Sequence, residues 1–349
     1  MGTLQFAGYS DAISEMTALV ENELRGKDER EYDRARFFLH SALTLADEMW
    51  FQKGDPAQPE FTDWELPWRK YGGDNPGTVY LSAPVHPDGV YRVTGVAPEA
   101  TYIGIQVYGR GSGYNAPTGN VGGAHAAPHG PEEIDVAVGG PAREGHPWVP
   151  LAEADYVLIV RLYYSDIRHP RPDVRITRVG GDVPSMSSSA RSRNAVHYFR
   201  DEVLSTIGVT DALRTASVNS YPPADAAVHR PRYTGALFPT RDNTYDGCWV
   251  SLGDGESLRV RGTMPDAVYT SFVFYDRWFN TSDYRVTRCF RTARDIVASA
   301  DGHYELVLGP DPSDHPNWID TGGLREGIFA IRNLLMTSRT LPTIEVATT

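Results

Sequence analysis

A chain of 349 residues with 41% hydrophobic and 22% charged side chains has the composition of a globular protein long enough for two or three domains. Its formal net charge of −12 argues against a nucleic-acid partner, because binding a phosphate backbone needs an excess of Lys and Arg. No apolar run reaches the length of a membrane span, and two cysteines, Cys248 and Cys289, are too few for a disulfide framework and read as reduced thiols.

The opening Met1-Gly-Thr-Leu-Gln-Phe6 lacks the basic start and apolar stretch of a secretion signal. Phe6 also stands where a myristoylation site carries Ser or Thr. A cytoplasmic protein without a membrane partner is expected. Residues 10–27 predict an amphipathic helix capped by Ser10 or Asp11, with Ile13, Met16, Leu19, Val20 and Leu24 on one stripe. A second helix is predicted from Asp28, burying Tyr32, Ala35, Leu39, Leu43, Ala46 and Trp50. Residues 1–53 thus form a helical segment, and Pro56, Pro59, Pro67 and Pro76 exclude helix from the connector that follows.

Residues 77–178 carry short β-branched and aromatic runs separated by Gly, Pro, Asp and Asn: Val79–Ser82, Tyr91–Thr94, Tyr102–Tyr108, Ile134–Val138, Tyr156–Tyr164 and Val174–Val179. That spacing predicts an antiparallel sandwich or jelly roll. The nearly unbroken apolar run Tyr156–Tyr164 predicts a central strand covered on both faces. A Gly/Ser-rich joint at 180–188 leads to a third helix, Ser189–Ile207. Its buried face would hold Val196, Phe199, Val203, Leu204 and Ile207, and Gly208 would stop it. A second strand group fills 245–347. The expected division is 1–53 helical, 54–179 first β unit, 180–216 linker and helix, and 217–349 second β unit.

The two β units are related. Tyr91–Arg110 and Leu258–Arg277 share eight identities at a constant offset of 167 without a gap, against about one or two for random pairing at ordinary residue usage. Among them are Gly95/Gly262, Pro98/Pro265, Tyr102/Tyr269, Tyr108/Tyr275 and Arg110/Arg277. Asp74-Asn75 answers Asp242-Asn243, Trp148 answers Trp318, Val157–Arg161 answers Ile328–Arg332, and Pro172–Ile176 answers Pro342–Val346 at an offset of 170. Internal duplication of a β unit explains these drifting offsets through loop insertions.

The copies differ after the shared Tyr-x-Arg. The first continues as a glycine loop, Gly111-Ser-Gly-Tyr-Asn115. The second runs Asp276-Arg-Trp-Phe-Asn-Thr-Ser-Asp-Tyr-Arg285, alternating aromatic and ionisable groups. Such a loop could hold a ligand by stacking and fix it by hydrogen bonds; a structural Arg–Asp network fits the same residues. The connector Trp64–Pro76 is a second candidate, with Trp68, Tyr71, Asp74 and Asn75 beside the close-approach pair Gly72-Gly73. For Asp74-Asn75 an Asx turn is the simpler reading.

Arg69-Lys-Tyr-Gly-Gly-Asp-Asn-Pro76, Tyr91–Gly95, Tyr275-Asp-Arg-Trp278, Asp283-Tyr-Arg285 and Asn317-Trp-Ile-Asp320 together resemble a bacterial family of uncharacterised proteins, described as two consecutive domains of unknown function, the second numbered twelve-fourteen. The resemblance covers nearly all of the chain beyond the first helices. It implies a mainly β protein with two sandwich-like parts and helical additions, and no established reaction. The family ending usually has Gly-Arg or Gly-His before Glu or Ser. Here it reads Thr321-Gly-Gly-Leu-Arg-Glu-Gly327, which puts any inherited role for that corner in doubt.

His125 and His129 have a two-histidine spacing, but Pro128 forbids a regular helix and no further ligand completes a metal set. Neither a nucleophile elbow nor a phosphate loop is present, and no dinucleotide fingerprint appears, so no cofactor is expected. What remains is acid–base chemistry by Asp276, Asp283, Tyr284 and Arg285. Trp68, Tyr71, Asp74, Asn75, Tyr275, Arg277, Trp278 and Trp318 would bind a small organic molecule in an aromatic-lined cleft between the β units. A lyase, isomerase or hydrolase would show converging ionisable groups in a deep pocket. A non-catalytic small-molecule or carbohydrate binding module would show an open aromatic groove. A structural protein or homo-oligomer would bury Trp278 or Trp318 against another chain.

Overall fold

In the computed structural model, residues 7–110, 115–123, 132–222 and 237–348 are described. The first two helices are α1 (Ala7–Glu23) and α2 (Glu29–Ala46). Asp28 starts α2 by accepting the Glu31 amide at 3.1 Å, as its type and position predict. The buried stripes are rotated from those expected. Ala12, Met16, Val20 and Leu24 are buried in the first case and Ala35, Phe38, Ala42 and Leu45 in the second, while Ile13 and Leu19 face outward. Alanine takes the packed face here, which ranking by hydrophobic size does not register. A π-helical turn, Asp47–Gln52, prolongs α2.

The first β unit contains β1 (Thr62–Asp63), β2 (Thr78–Pro84), β3 (Gly89–Val96), β4 (Tyr102–Arg110), β5 (Asn115–Gly122), β6 (Glu133–Val138), β7 (Trp148–Val149), β8 (Asp155–Tyr163) and β9 (Asp173–Gly181). Helix α3 (Ser188–Ala216) follows. The second unit contains β10 (Asn243–Ser251), β11 (Glu256–Thr263), β12 (Tyr269–Tyr275), β13 (Phe290–Thr292), β14 (His303–Gly309), β15 (Trp318–Asp320), β16 (Glu326–Leu334) and β17 (Thr343–Thr348). Gly208 does not stop α3, which runs on to Ala216. The cost of one glycine, about 1 kcal/mol, is offset by burial of Val209 and Leu213 beyond it.

Each unit is a sandwich of two sheets, and the strand orders correspond strand for strand apart from β1, which the first unit adds at one edge. The first unit has β1-β2-β8-β4-β5 over β7-β6-β3-β9; the second has β10-β16-β12-β13 over β15-β14-β11-β17. Register is inherited as well. Tyr102 pairs with Tyr163, and their counterparts Tyr269 and Leu334 pair with each other. Trp148 sits opposite Ala137 in a parallel edge pair, and Trp318 sits opposite Val307 in the same arrangement.

Two of the expected matches change. Ile176 faces Val93 and Ile344 faces Val260, so the last strands correspond at 168 rather than 170. A slip of two keeps the same face inward. Thr78 opposes Tyr163 and Asn243 opposes Leu334, so Asn243 corresponds to Thr78 and not to Asn75. Asp74-Asn75 therefore belongs to the first copy alone.

Alternation along the strands builds the layers. Leu158, Val160 and Leu162 of β8 enter the first sandwich core, while Val157 and Ile159 face the helices. Both faces of β8 are thus covered, as its apolar run predicts. Val209 and Leu213 of α3 pack on Trp249, Val273 and Ile328 of the second unit, so this helix spans both sandwiches.

Candidate functional site

The expected cleft between the units is filled where their sheets meet. Tyr163 and Tyr269 make an edge-on ring contact at 5.4 Å, with Tyr102 and Leu334 in the same cluster. Arg161 donates to Gln106 Oε1 and to the Tyr108 hydroxyl, both at 2.8 Å. Arg332 donates to the Tyr275 hydroxyl at 2.8 Å and to Tyr80 at 3.2 Å. Tyr275 is thus a scaffold residue, and its hydroxyl in turn donates to the Asp74 carbonyl at 2.8 Å.

The connector and the loop after β12 do meet. Asp74 is buried and takes the Thr281 amide at 2.7 Å, the Thr281 hydroxyl, and Lys70 Nζ at 3.3 Å. Lys70 is also buried; it donates to Thr281 at 3.0 Å and lies 4.3 Å from the centre of the Tyr284 ring. The Gly73 amide donates to the Phe279 carbonyl at 2.6 Å. Gly73 has φ +79°, and a Cβ there would meet the Phe279 ring, so the close approach requires glycine. Asn75 closes a turn by donating to Thr78 at 3.0 Å and accepts from Tyr269 at 3.2 Å.

Asp276 and Asp283, expected to cooperate, sit in different surroundings. Asp276 is buried. One oxygen accepts the Trp278 and Asn280 amides at 2.9 and 3.1 Å, and the other accepts Arg34 of α2 at 3.3 Å. Burial pushes its carboxyl up, and Arg34 and the two amides pull it back. Arg277 binds the Glu23 carbonyl at 2.9 Å, and Trp278 stacks on Phe38 at 5.3 Å inside the helical core. These three residues fasten the loop to the helices rather than line a ligand site. The physical reason is a tight turn: Phe279 has φ +58° and sends its neighbours into the core. Trp278 is buried within its own chain and so cannot serve as an intersubunit contact. Trp68 is 65% exposed in the turn Leu66–Arg69, and Tyr71 is buried against Trp64 at 4.7 Å.

Asp283, Tyr284 and Arg285 lie on the outer side of this network. Arg285 grips Asp283 with two bonds, at 2.8 and 2.6 Å, and these hold the Asp283 carboxyl down at about 2. Burial pushes the Tyr284 hydroxyl up, and Glu65 and Asp74 add to the rise. Tyr284 and Arg285 help to line an open cavity of about 350 Å³. Its walls come from both units: Ser165–Arg168 after β8, and Tyr284–Arg288 with Phe290, Arg291 and Asp295.

Four arginines face this space. Arg168 is paired with Asp166 and Arg285 with Asp283. Arg291 donates to the Trp318 carbonyl at 3.2 Å, which brings half-buried Trp318 to the edge of the site through its backbone. Burial lowers the Arg291 guanidinium, and Arg288 lowers it further. Among the described residues no carboxylate forms an ion pair with Arg288 or Arg291. The cavity's wall from the first unit, and Arg291 with it, were missed by sequence reasoning; no local signal joins Asp166-Ile-Arg168 to a loop more than a hundred residues on. His125, His129 and the glycines of the first-copy loop lie outside the described residues.

None of the helices among the described residues is long and apolar enough to cross a membrane. No protein-family model and no curated protein sequence matches this chain. Among solved structures it is similar to an uncharacterised protein of Burkholderia cenocepacia, at 22% identity over 98% of this chain and 96% of that one, with a TM-score of 0.85. It is also similar to the VPA0106 protein of Vibrio parahaemolyticus, at 13% identity over 89% of this chain and 97% of that one, with a TM-score of 0.50. The chain therefore shares its mainly β, two-unit fold with uncharacterised bacterial proteins.

Proposed function

We propose that the chain binds small organic anions in the cavity at the junction of its two β units. The observation that supports this is the pair Arg288 and Arg291: both face one open cavity, and among the described residues neither forms an ion pair with a carboxylate, Asp295 of the same wall acting on Arg291 only at longer range. Guanidinium groups in a recess focus positive potential even on a protein of net negative charge, and their planar fork matches a carboxylate or phosphate. Tyr284 and Phe290 add aromatic surface for the body of the ligand.

This is the non-catalytic binding reading of the loop, and it fits better than the acid–base one. Asp283 is held ionised by Arg285 and Asp276 is spent on Arg34, so the two carboxyls do not form an acid–base pair. The bacterial paired-domain family that the sequence resembles is part of the same proposal.

The test is calorimetric titration of the protein with benzoate and with inorganic phosphate, repeated on Arg288→Ala/Arg291→Ala. Binding that weakens by about tenfold or more in the double variant, the loss of one or two charged hydrogen bonds, supports the reading. Absence of binding by wild type, or equal affinity in the variant, overturns it.

A further inference from the structure

The buried face of α3 carries polar side chains where a core helix would be apolar. Tyr198, Glu202, Thr206 and Thr210 follow at four-residue spacing, and all are buried. Thr210 is satisfied by the Arg277 carbonyl at 2.9 Å. Glu202 Oε2 and the Thr206 hydroxyl have no hydrogen-bond partner, and the hydroxyls of Tyr198 and of Tyr71 on the connector have only each other. An unpaired buried polar group gives up its hydration without return. Glu202 Oε2 and the Thr206 hydroxyl, beside the two tyrosine hydroxyls, mark an interior surface with hydrogen-bonding capacity to spare.

They belong to one place. The Gly72 amide donates to Glu202 Oε1 at 3.1 Å. A Cβ on Gly72 would lie 3.1 Å from that oxygen and 3.3 Å from the Thr206 hydroxyl, so the missing side chain lets the connector come close. Tyr71 precedes Gly72, and Tyr198 and Glu202 both act on its hydroxyl. Aromatic rings surround the group: Trp64 is 4.7 Å from Tyr71, and Trp50 is 5.8 Å from Tyr198.

Charge selects the ligand. Burial raises the Glu202 carboxyl to about 8, and Asp201 on the same helix adds to the rise. Arg161 of β8 acts on Tyr71 more weakly than Tyr198 and Glu202 do, and it is bonded to Gln106, Tyr108 and the Phe238 carbonyl. The site thus offers a desolvated carboxyl, three hydroxyls and ring faces, and among the described residues no cation is bonded to them. An ammonium group supplies the missing charge, donates three hydrogen bonds and is drawn to aromatic faces. An anion would find no counter-charge there, and a neutral alcohol would leave Glu202 protonated.

We propose that Glu202, Tyr71, Tyr198 and Thr206 bind a small organic ammonium ion, with the Glu202 carboxylate as its counter-ion. The proposal is independent of the arginine-lined cavity. Binding converts a neutral Glu202 acid into a carboxylate, so the proton that leaves Glu202 passes to solvent while the ammonium keeps all of its own.

The experiment is calorimetric titration with methylammonium in two buffers of different ionisation heat at about pH 7, where Glu202 starts protonated, with methanol as the uncharged probe. Wild type is expected to bind methylammonium with release of about one proton and to ignore methanol. Glu202→Gln is expected to lose affinity by about tenfold or more, as removal of a buried counter-charge requires. Should that variant fail to fold, Tyr198→Phe and Tyr71→Phe are each expected to weaken binding about threefold to tenfold. No binding by wild type, binding without proton release, or methanol binding as well as methylammonium would overturn the proposal.

Discussion

Arg332 donates to the Tyr275 hydroxyl at 2.8 Å, and the contact has a twin half a chain earlier, where Arg161 reaches Tyr108 at 2.8 Å. Both tyrosines belong to the identities that relate the two copies, and both arginines close the matched runs Val157–Arg161 and Ile328–Arg332 on the neighbouring strands. The shared pair is therefore a property of the scaffold. It holds a buried charge on the face of each sandwich that meets its copy.

Equal roles imply equal losses. Tyr108→Phe and Tyr275→Phe each remove one bond to a buried guanidinium and are expected to cost about 1.5–3 kcal/mol. Urea unfolding of the two variants checks this. A loss at one site with none at the other would show that the copies no longer use the pair alike.

The duplication was legible because antiparallel pairing fixes register, and register fixes which residues must be kept. Tyr102, Tyr108, Trp148 and Arg161 could each be matched to a counterpart for that reason. Strand β5 was not legible, since Pro117, Gly119 and Gly122 read as a loop. For Asp276 the structural alternative holds, but its partners were not legible: they are two amides of its own turn and Arg34, which precedes it by more than two hundred residues. Polar spacing of four residues in α3 resembles a solvated stripe, so Glu202 passed unnoticed until the connector was seen against it.

The two loop carboxylates should separate by stability. Asp276→Asn leaves the partly buried Arg34 without its counter-charge, and a loss of about 2–4 kcal/mol is expected. Asp283→Asn breaks an exposed pair and should cost less than about 1 kcal/mol. Thermal and urea unfolding of both variants measures the difference. Equal losses would mean that the outer loop is as structural as the turn behind it.

Glu202 should make stability depend on pH. Its folded carboxyl is raised from the ordinary value of 4.5 to about 8, so the folded state holds the proton more tightly than the unfolded one. Its favourable contribution is complete below the unfolded value, declines as pH rises from there, and is lost above about 8. Glu202→Gln cannot ionise. It is expected to unfold near wild type at about pH 4 and to be more stable than wild type at about pH 9, by an amount on the order of a few kcal/mol. A constant difference between the two proteins across that range would exclude a raised carboxyl at this position.

The arginine-lined junction is tested most directly by a crystal structure with 4-bromobenzoate, whose bromine can be located by anomalous scattering. An anomalous peak is expected inside the cavity bounded by Ser165–Arg168 and Tyr284–Arg288, with the carboxylate bonded to Arg288 or Arg291. A cavity that keeps only solvent at concentrations of 4-bromobenzoate that saturate the protein in solution, or a peak there that persists in Arg288→Ala/Arg291→Ala, would contradict it.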